Sequence, residues 1–179
     1  MRRPLSVAAV LVILMFCALP LVLLAGARIN ITNSFPPGIY WVVDKVPERG
    51  DLVMFCPPLR DVFDLAYERG YLQSGTCPGG YMRMLKRLVG VPGDEVLILA
   101  EGVSVNGQLH PRTQSLRKDP SGRRMPHPRF ERFRLAFGDA LLLSDYSHHS
   151  FDGRYFGAIP MLQIEEVVTP VLVWDREFD

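Results

Sequence analysis

The sequence has little net charge and few cysteines, and its beginning contains a long stretch without any charged residue. Lysine and arginine number 20 against 19 aspartates and glutamates, which leaves a net charge of +1 over 179 residues. A balance this even does not favour nucleic acid as a partner, because binding a phosphate backbone needs an excess of positive charge. The length leaves room for one N-terminal segment and one domain of modest size.

Charge is missing altogether from Leu5 to Ala27, and the Arg2-Arg3 pair precedes this run. The run is long enough to span a bilayer, and the arginines favour a cytoplasmic N-terminus with the rest of the chain outside. A cleavable signal peptide is the alternative, because Ala25-Gly26-Ala27 has the small-x-small pattern of a cleavage site. Both interpretations give an anchor or signal segment, residues 1–28, followed by an extracytoplasmic domain, residues 29–179.

Cysteine occurs three times. Cys17 lies in the apolar run, where a thiol packs like a small apolar side chain. Cys56 and Cys77 belong to the part expected outside the cytoplasm, where disulfides persist, and neither has a second Cys or His at the spacing of a metal site. We therefore predict a Cys56–Cys77 disulfide and no metal ion or cofactor. A metal-bound pair and two free thiols are the alternatives.

Most of the remaining sequence has the pattern of short β-strands. A Gly-Asp pair followed by an apolar run occurs at residues 50–55, 93–98 and 138–143, and each predicts a turn that leads into a strand. Asn106-Gly107 favours the type I′ turn of a hairpin. The domain is therefore predicted to be mainly β.

Two segments stand apart from this pattern. Residues 112–134 carry eight arginines and lysines against Asp119 and Glu131. We interpret this basic segment as a solvated surface excursion, and contact with anionic lipid headgroups or an acidic partner is the alternative. The other segment is a short amphipathic helix that Gly70 is placed to end. Its predicted apolar face consists of Leu59, Val62, Phe63, Ala66 and Tyr67.

A candidate nucleophile lies shortly after the apolar run. The stretch reads Asn30-x-Thr32-x-Ser34-x-Pro36-x-Gly38-x-Tyr40. Its prolines disfavour helix and bias the residues before them toward extended geometry, which would place Thr32 and Ser34 on one side. An ordinary loop serine has the same local pattern, so Ser34 needs a chemical partner elsewhere in the chain.

Lys86 is a candidate for that partner. In a strand, Lys86 shares a face with Met82, Met84 and Leu88. Burying an ammonium group without a partner is costly, and the pKa of the lysine falls as a result. A lysine that is neutral near pH 7 can accept the proton of a serine hydroxyl. The alternative is a lysine whose amine reaches water along its apolar stem.

A third segment contains Ser150, Asp152 and Arg154, which would share one side of an extended chain. Such a set could hold a lysine by hydrogen bonds and close the site with an ion pair. A turn with a surface salt bridge is the alternative. His148 or His149 could instead combine with Asp152 in a Ser-His-Asp hydrolase.

Together, these three segments resemble, in chain order, the motifs of the type I signal peptidases. The resemblance covers about residues 30–160, and the stretch Asn30–Tyr40 is similar to one branch, the TraF-type peptidases of conjugative plasmid transfer. Phe35 and Gly153 stand where signal peptidases usually have Met and Ser, which favours a specialised relative. The matching motifs are Ser34 with Pro36-Pro37, Lys86-Arg87-x-x-Gly90-x-Pro92-Gly93-Asp94, and Ser150-x-Asp152-x-Arg154-Tyr155-x-Gly157.

The resemblance implies a mainly β fold of two antiparallel sheets and a Ser-Lys dyad. Ser34 matches the nucleophile and Lys86 the general base, while the Ser34 N–H and the Thr32 hydroxyl match the oxyanion donors. The last motif supplies a lysine-orienting hydroxyl from Ser150 and an acidic residue, Asp152, with a catalytic or supporting role. Its arginine is expected to be structural, at Arg154.

The resemblance also implies a substrate and a location. The expected partners are a pilin precursor or another exported protein and the lipid bilayer, with the catalytic domain in the periplasm at the inner membrane. If the first segment is cleaved, the whole mature chain would be periplasmic. The alternatives are a general signal peptidase that cleaves secretory leader peptides and an inactive, membrane-anchored assembly protein of a transfer apparatus.

Overall fold

A computed structural model describes residues 3–126 and 131–174. It begins with helix α1, Arg3–Leu24. In the part of the chain that is described, no helix combines the length and the hydropathy that crossing a bilayer requires. The predicted membrane span is not supported by this finding. Arg2 and two further parts of the predicted regions, 127–130 in the basic segment and 175–179 at the C-terminus, lie outside the described residues.

Two antiparallel sheets make up most of the rest, as predicted. The described strands, in chain order, are β1 (Ala27–Asn30), β2 (Gly38–Val43), β3 (Leu52–Phe55), β4 (Met84–Gly90), β5 (Glu95–Leu99), β6 (Gly102–Val105), β7 (Gln108–Leu109), β8 (Glu131–Arg134), β9 (Asp139–Leu143), β10 (Ile159–Pro160) and β11 (Ile164–Val173). The larger sheet has the order β1-β2-β11-β3-β4-β9-β10, and the smaller sheet has the order β7-β6-β5-β8.

The turn signals of the sequence are confirmed. The three Gly-Asp segments lead into β3, β5 and β9. Asn106 and Gly107 connect β6 to β7 with φ angles of 51° and 80°, which suit the type I′ turn that this pair favours. The C-terminal part forms one long strand, β11, which lies between β2 and β3 and is irregular between Pro170 and Leu172.

The predicted helix is α2, Asp61–Glu68, and Gly70 follows it with a φ of 77°. Phe63 and Ala66 are buried against the larger sheet, and burial of the Phe63 side chain contributes about 2 kcal/mol. Leu59 and Tyr67 were predicted on the same face, but Leu59 precedes the helix and is 68% exposed, and Tyr67 is 40% exposed. A second short helix, α3, spans Gly153–Phe156 and packs beside α2.

A disulfide joins Cys56 to Cys77, so this pairing is confirmed. It ties the residue after β3 to the loop that follows α2, and both cysteines are buried. The strand next to β3 is β4, which pairs with β9 on its other side. Side chains on both faces of β4 are buried, and Lys86 stands near its middle, opposite Val53. This central position is what removes Lys86 from water.

Candidate active site

The serine of the first motif lies in a turn, because residues 32–35 bend between β1 and β2. The predicted extended geometry is therefore wrong here. The buried side chain of Asn30 supplies hydrogen bonds to the backbone of this turn. Its Oδ1 accepts from the N–H and hydroxyl of Thr32, at 3.1 and 2.8 Å. Its Nδ2 donates to the carbonyls of Phe35 and Pro36, at 3.0 and 3.2 Å. Asn30 thus shapes the turn that presents Ser34.

Lys86 meets this turn from β4. Its Nζ lies 2.6 Å from the Ser34 Oγ, and the residue is 1% exposed. Met84 and Leu88, two positions away on either side, are buried as predicted, whereas Met82, predicted on the same face, precedes β4 and is only half-buried. Burial lowers the pKa of Lys86 to about 7, although the nearby Asp152 carboxylate acts in the opposite direction. The amine can therefore lose its proton near neutral pH while it contacts the serine hydroxyl.

The third motif also reaches this place, but not as an extended segment. Asp152 is the residue that caps the N-terminus of α3, and it accepts a hydrogen bond from the Arg154 N–H. Asp152 and Arg154 form a fully buried ion pair, with the Nε 2.8 Å from Oδ1 and Nη2 2.9 Å from Oδ2. Ser150 is buried too, and its Oγ lies 3.4 Å from the Ser34 Oγ. The structure thus brings all three motifs together.

The family described as signal peptidase, peptidase S26, matches residues 3–174. The chain belongs to this family. Membership supports a hydrolase that acts on peptide bonds.

Similar proteins are named for plasmid or conjugal transfer. The chain is 48% identical over 151 residues to a plasmid transfer protein TraF of Escherichia coli, covering 84% of this chain and 85% of that protein. It is 36% identical over 158 residues to the conjugal transfer protein TraF of Agrobacterium fabrum, covering 86% of each. The predicted resemblance to TraF-type relatives of the signal peptidases is confirmed. Among solved structures, a signal peptidase I of Enterococcus faecalis matches 70% of this chain and 98% of its own at 22% identity, with a TM-score of 0.41.

The Thr32 hydroxyl, which the resemblance predicts as an oxyanion donor, is bonded to another side chain. The Thr32 hydroxyl donates to the Oδ1 of Asn30, although Thr32 lines the same cleft as Ser34. For Thr32 to stabilise an oxyanion, its hydroxyl would have to rotate away from Asn30. The predicted role of Thr32 stays a prediction.

The alternative Ser-His-Asp arrangement is wrong. His148 and His149 are exposed, while the Asp152 carboxylate is bound by the guanidinium of Arg154 and by the N–H of Ser144. A triad needs the carboxylate to orient a histidine that contacts the serine. Here the serine contacts a lysine and the carboxylate holds an arginine.

A cleft of about 450 Å³ opens beside Ser34 and Lys86. The loop after α2 contributes residues 69–73 to its walls, and the basic segment contributes six residues between 116 and 125. Asp119 in that segment is buried, so the predicted solvated excursion is wrong for this part. Contact of the segment with lipid headgroups or an acidic partner stays a prediction.

Hydrogen bonds join these two walls through Asp119, in a group we call the Asp119 clasp (Arg69, Tyr71, Asp119, Arg123 and Arg124). The hydroxyl of Tyr71 and the Nε of Arg123 both donate to Asp119, over 2.5 and 2.6 Å. Arg69 donates to the carbonyl of Arg124, and Arg123 donates to the carbonyl of Arg69. Burial raises the pKa of Asp119, but the bonds from Tyr71 and Arg123 outweigh it and lower the pKa to about 2.

Sequence reasoning missed Asn30, Ser144 and Asp119 as parts of the site. Asn30 stood in the quoted motif without a role, and its position at the end of a strand before a turn is typical of side chains that bond to turn backbone. Ser144 is the first polar residue after the apolar run of β9, which was a usable signal. The pair of Asp119 with Arg123 is local, but the hydrogen bond from Tyr71, 48 residues away, gave no signal in the sequence.

Proposed function

We propose that this family member is a serine endopeptidase in which Ser34 is the nucleophile and Lys86 the general base. The observation that supports this most is the 2.6 Å separation of the Ser34 Oγ and the Lys86 Nζ, with the amine buried. Because burial lowers the pKa of Lys86 to about 7, a substantial fraction of the amine is neutral at physiological pH. A neutral amine at hydrogen-bond distance can take the hydroxyl proton as the serine attacks.

The reaction would proceed by acyl transfer. Ser34 Oγ attacks the peptide carbonyl while its proton passes to Lys86, and the N–H of Ser34 and the rotated hydroxyl of Thr32 stabilise the oxyanion. Lys86 then returns the proton to the departing amine, which leaves an acyl ester on Ser34. A second nucleophile, water or an amine, attacks the ester carbonyl and loses a proton to Lys86, which passes it to the departing Oγ of Ser34 as the acyl group is released.

We further propose that the substrate is an exported protein, a pilin subunit precursor of a conjugative plasmid, cut next to small residues. The transfer names of the relatives and the resemblance of the first motif support this substrate. The disulfide and the arginines before the apolar run support a periplasmic domain at the inner membrane. If the substrate's own amine captures the acyl group, the product is a cyclic pilin, and exclusion of water would favour that outcome.

The test uses the purified chain with a pilin precursor and with a quenched fluorogenic peptide that contains an Ala-x-Ala segment. Ser34→Ala and Lys86→Ala should each lose activity by about 10³-fold or more, at an unchanged melting temperature for Ser34→Ala. Mass spectrometry distinguishes the two products, because the cyclic product is lighter than the hydrolysed product by one water molecule. Normal turnover by either variant would refute the dyad.

The family description also favours a second candidate, a general signal peptidase that removes secretory leader peptides. Expression of the chain in a strain depleted of its own signal peptidase separates the two, since only the general enzyme restores growth. An inactive assembly protein would instead support plasmid transfer equally well as wild type and as Ser34→Ala. Transfer frequency with that variant decides this point.

A further inference from the structure

Ser144 touches the proposed nucleophile from a distant part of the chain. It directly follows β9 and is fully buried. Its Oγ lies 2.5 Å from the carbonyl oxygen of Ser34, a contact that spans 110 residues of sequence. No motif of the sequence analysis includes Ser144.

The direction of this hydrogen bond follows from the other partners of the Ser144 hydroxyl. The backbone N–H groups of Tyr146 and Ser147 point at the same Oγ, at 3.3 and 3.1 Å, so the oxygen accepts from both. A hydroxyl has one proton to donate, and the carbonyl of Ser34 can only accept. The proton of Ser144 therefore lies on the line to the Ser34 carbonyl.

This bond limits the rotation of Ser34. The peptide that follows Ser34 is planar, so a fixed carbonyl sets the ψ angle of the serine. The hydroxyl of the same residue is held by Lys86, and the turn around it is held by Asn30. With the carbonyl, the side chain and the turn all fixed, the Oγ and the N–H of Ser34 keep one orientation relative to a bound peptide.

Ser144 also connects Ser34 to the buried ion pair. Its N–H donates to Asp152 Oδ2 over 2.9 Å, and the same oxygen accepts from the Nη2 of Arg154. Within the described residues, Ser144 and Arg154 donate hydrogen bonds to the Asp152 carboxylate. The effect of Asp152 on the nucleophile thus passes through the Ser144 backbone, in addition to the effect of its charge on Lys86.

We propose that Ser144 is a positioning residue, whose hydroxyl holds the Ser34 carbonyl so that the nucleophile and the oxyanion N–H of Ser34 face the substrate together. This inference rests on the proposed Ser34–Lys86 chemistry. Misplacement of a reacting group by about 1 Å can cost on the order of 10²-fold in rate. Loss of the Ser144 hydroxyl should therefore lower kcat far more than it changes KM.

The experiment compares wild type, Ser144→Ala and Ser144→Thr as full chains acting on the quenched peptide with an Ala-x-Ala segment. Ser144→Ala is expected to lower kcat by about 10- to 100-fold with KM within about twofold. The apparent pKa that controls the rise of activity with pH should not move, because the surroundings of the Lys86 amine are unchanged. Ser144→Thr keeps a hydroxyl and should restore kcat to within about threefold.

A second variant controls for simple loss of stability. Val103→Ala removes buried methyl groups from the smaller sheet, in an apolar cluster that does not include Ser34, Lys86 or Ser144. Its melting temperature should fall, as that of Ser144→Ala should, but its kcat should stay within about twofold of wild type. If Ser144→Thr does not fold, the contrast between Ser144→Ala and Val103→Ala decides alone.

The outcomes separate this inference from the function on which it rests. If Ser34→Ala and Lys86→Ala are inactive while Ser144→Ala has nearly normal kcat, positioning by Ser144 is wrong and the dyad stands. A shift of the controlling pKa in Ser144→Ala would also overturn the inference, since Ser144 would then act through Lys86. If Ser34→Ala keeps its turnover, the proposed function itself fails.

Discussion

The candidate site contains two buried basic side chains, Lys86 and Arg154, which differ in how many hydrogen-bond partners they have. Lys86 is 1% exposed, and its amine bonds to a neutral hydroxyl, that of Ser34. Arg154 is 0% exposed, and its guanidinium bonds to both oxygens of Asp152. The same guanidinium also donates to the carbonyls of Arg112, Gln114, Ser147, His148 and Ser150.

The difference in partners gives the two groups opposite protonation behaviour. Burial lowers the pKa of both, but in Arg154 the charge of Asp152 outweighs burial and raises the pKa, whereas in Lys86 burial prevails. Arg154, which bonds to a carboxylate and to several carbonyls, stays charged and holds the backbone in place. Lys86, which bonds to one neutral hydroxyl, gives up its proton near neutral pH, which is the property that a general base needs.

The largest expected effect is on kcat, when Lys86 is replaced by a side chain that stays charged as Arg154 does. Lys86→Arg places a group at the same position that stays charged at any neutral pH and cannot accept a proton. We expect kcat to fall by about 10⁴-fold, which corresponds to a little over 5 kcal/mol. Single-turnover kinetics with the fluorogenic peptide measures this change.

A matched exchange far from the cleft provides the control. Arg132 lies on β8 in the smaller sheet, and its pair with Glu95 is largely exposed. Arg132→Lys should leave kcat within about twofold, since an exposed pair contributes little. If Lys86→Arg retained more than about a tenth of the wild-type kcat, proton transfer to residue 86 would be the wrong mechanism.

The second largest expected effect is on stability, when Arg154 is removed. Arg154→Met leaves the carboxylate of Asp152 buried without its partner, and breaking a buried pair in this way costs about 3–5 kcal/mol. Urea unfolding at pH 7 should show this loss in the free energy of unfolding. The double variant Arg154→Met with Asp152→Asn should recover part of it, because no unpaired charge remains. A loss below about 1 kcal/mol in the single variant would mean that water replaces the guanidinium.

The contrast between these two cations was only partly predictable from sequence. Alternation in β4 predicted that Lys86 would lie among methionine and leucine side chains, because a strand pattern is local. Arg154 could be placed in a motif, but its carbonyl partners come from residues 112 and 114 and from the turn at residues 147–150. Bonds between such distant segments depend on how the two sheets and the basic segment pack.

The geometry of the serine turn was mispredicted for a related reason. Prolines at 36 and 37 biased the stretch toward extended backbone, but Asn30 supplies hydrogen bonds that make a compact turn more stable. The antiparallel sheets, the hairpin at Asn106 and the disulfide were predictable, since each follows from a short signal or from the expected compartment. The location of the chain depends on the first segment and stays a proposal.

A smaller expected effect is the loss of folding stability caused by burying the Lys86 amine. The pKa of Lys86 is about 7 in the folded chain and 10.5 in its ordinary state, so the unfolded chain binds one more proton between these values. The free energy of unfolding therefore rises with pH between about 7 and 10.5. Below pH 7 the buried amine is charged, and its full destabilising effect is present. Lys86→Met should raise the free energy of unfolding by about 2 kcal/mol at pH 6, and by less at pH 9. A gain that did not change with pH would show that lost packing or hydrogen bonding, rather than ionisation, sets the difference.

The smallest effect concerns the Asp119 clasp, whose ion pair is more exposed than that of Arg154. The pKa of Asp119 is lowered from 3.8 to about 2, so its contribution to stability is present above about pH 4 and is lost as the pH falls toward 2. Asp119→Asn should lower Tm by a few degrees at pH 7, and the difference should shrink below pH 4 and in high salt. Glu95→Gln, in the exposed pair with Arg132, should leave Tm nearly unchanged. If the two variants had the same Tm, burial would not make the Asp119–Arg123 pair stronger than an ordinary surface pair. The Asp152–Arg154 pair would then be the one that exclusion of water strengthens.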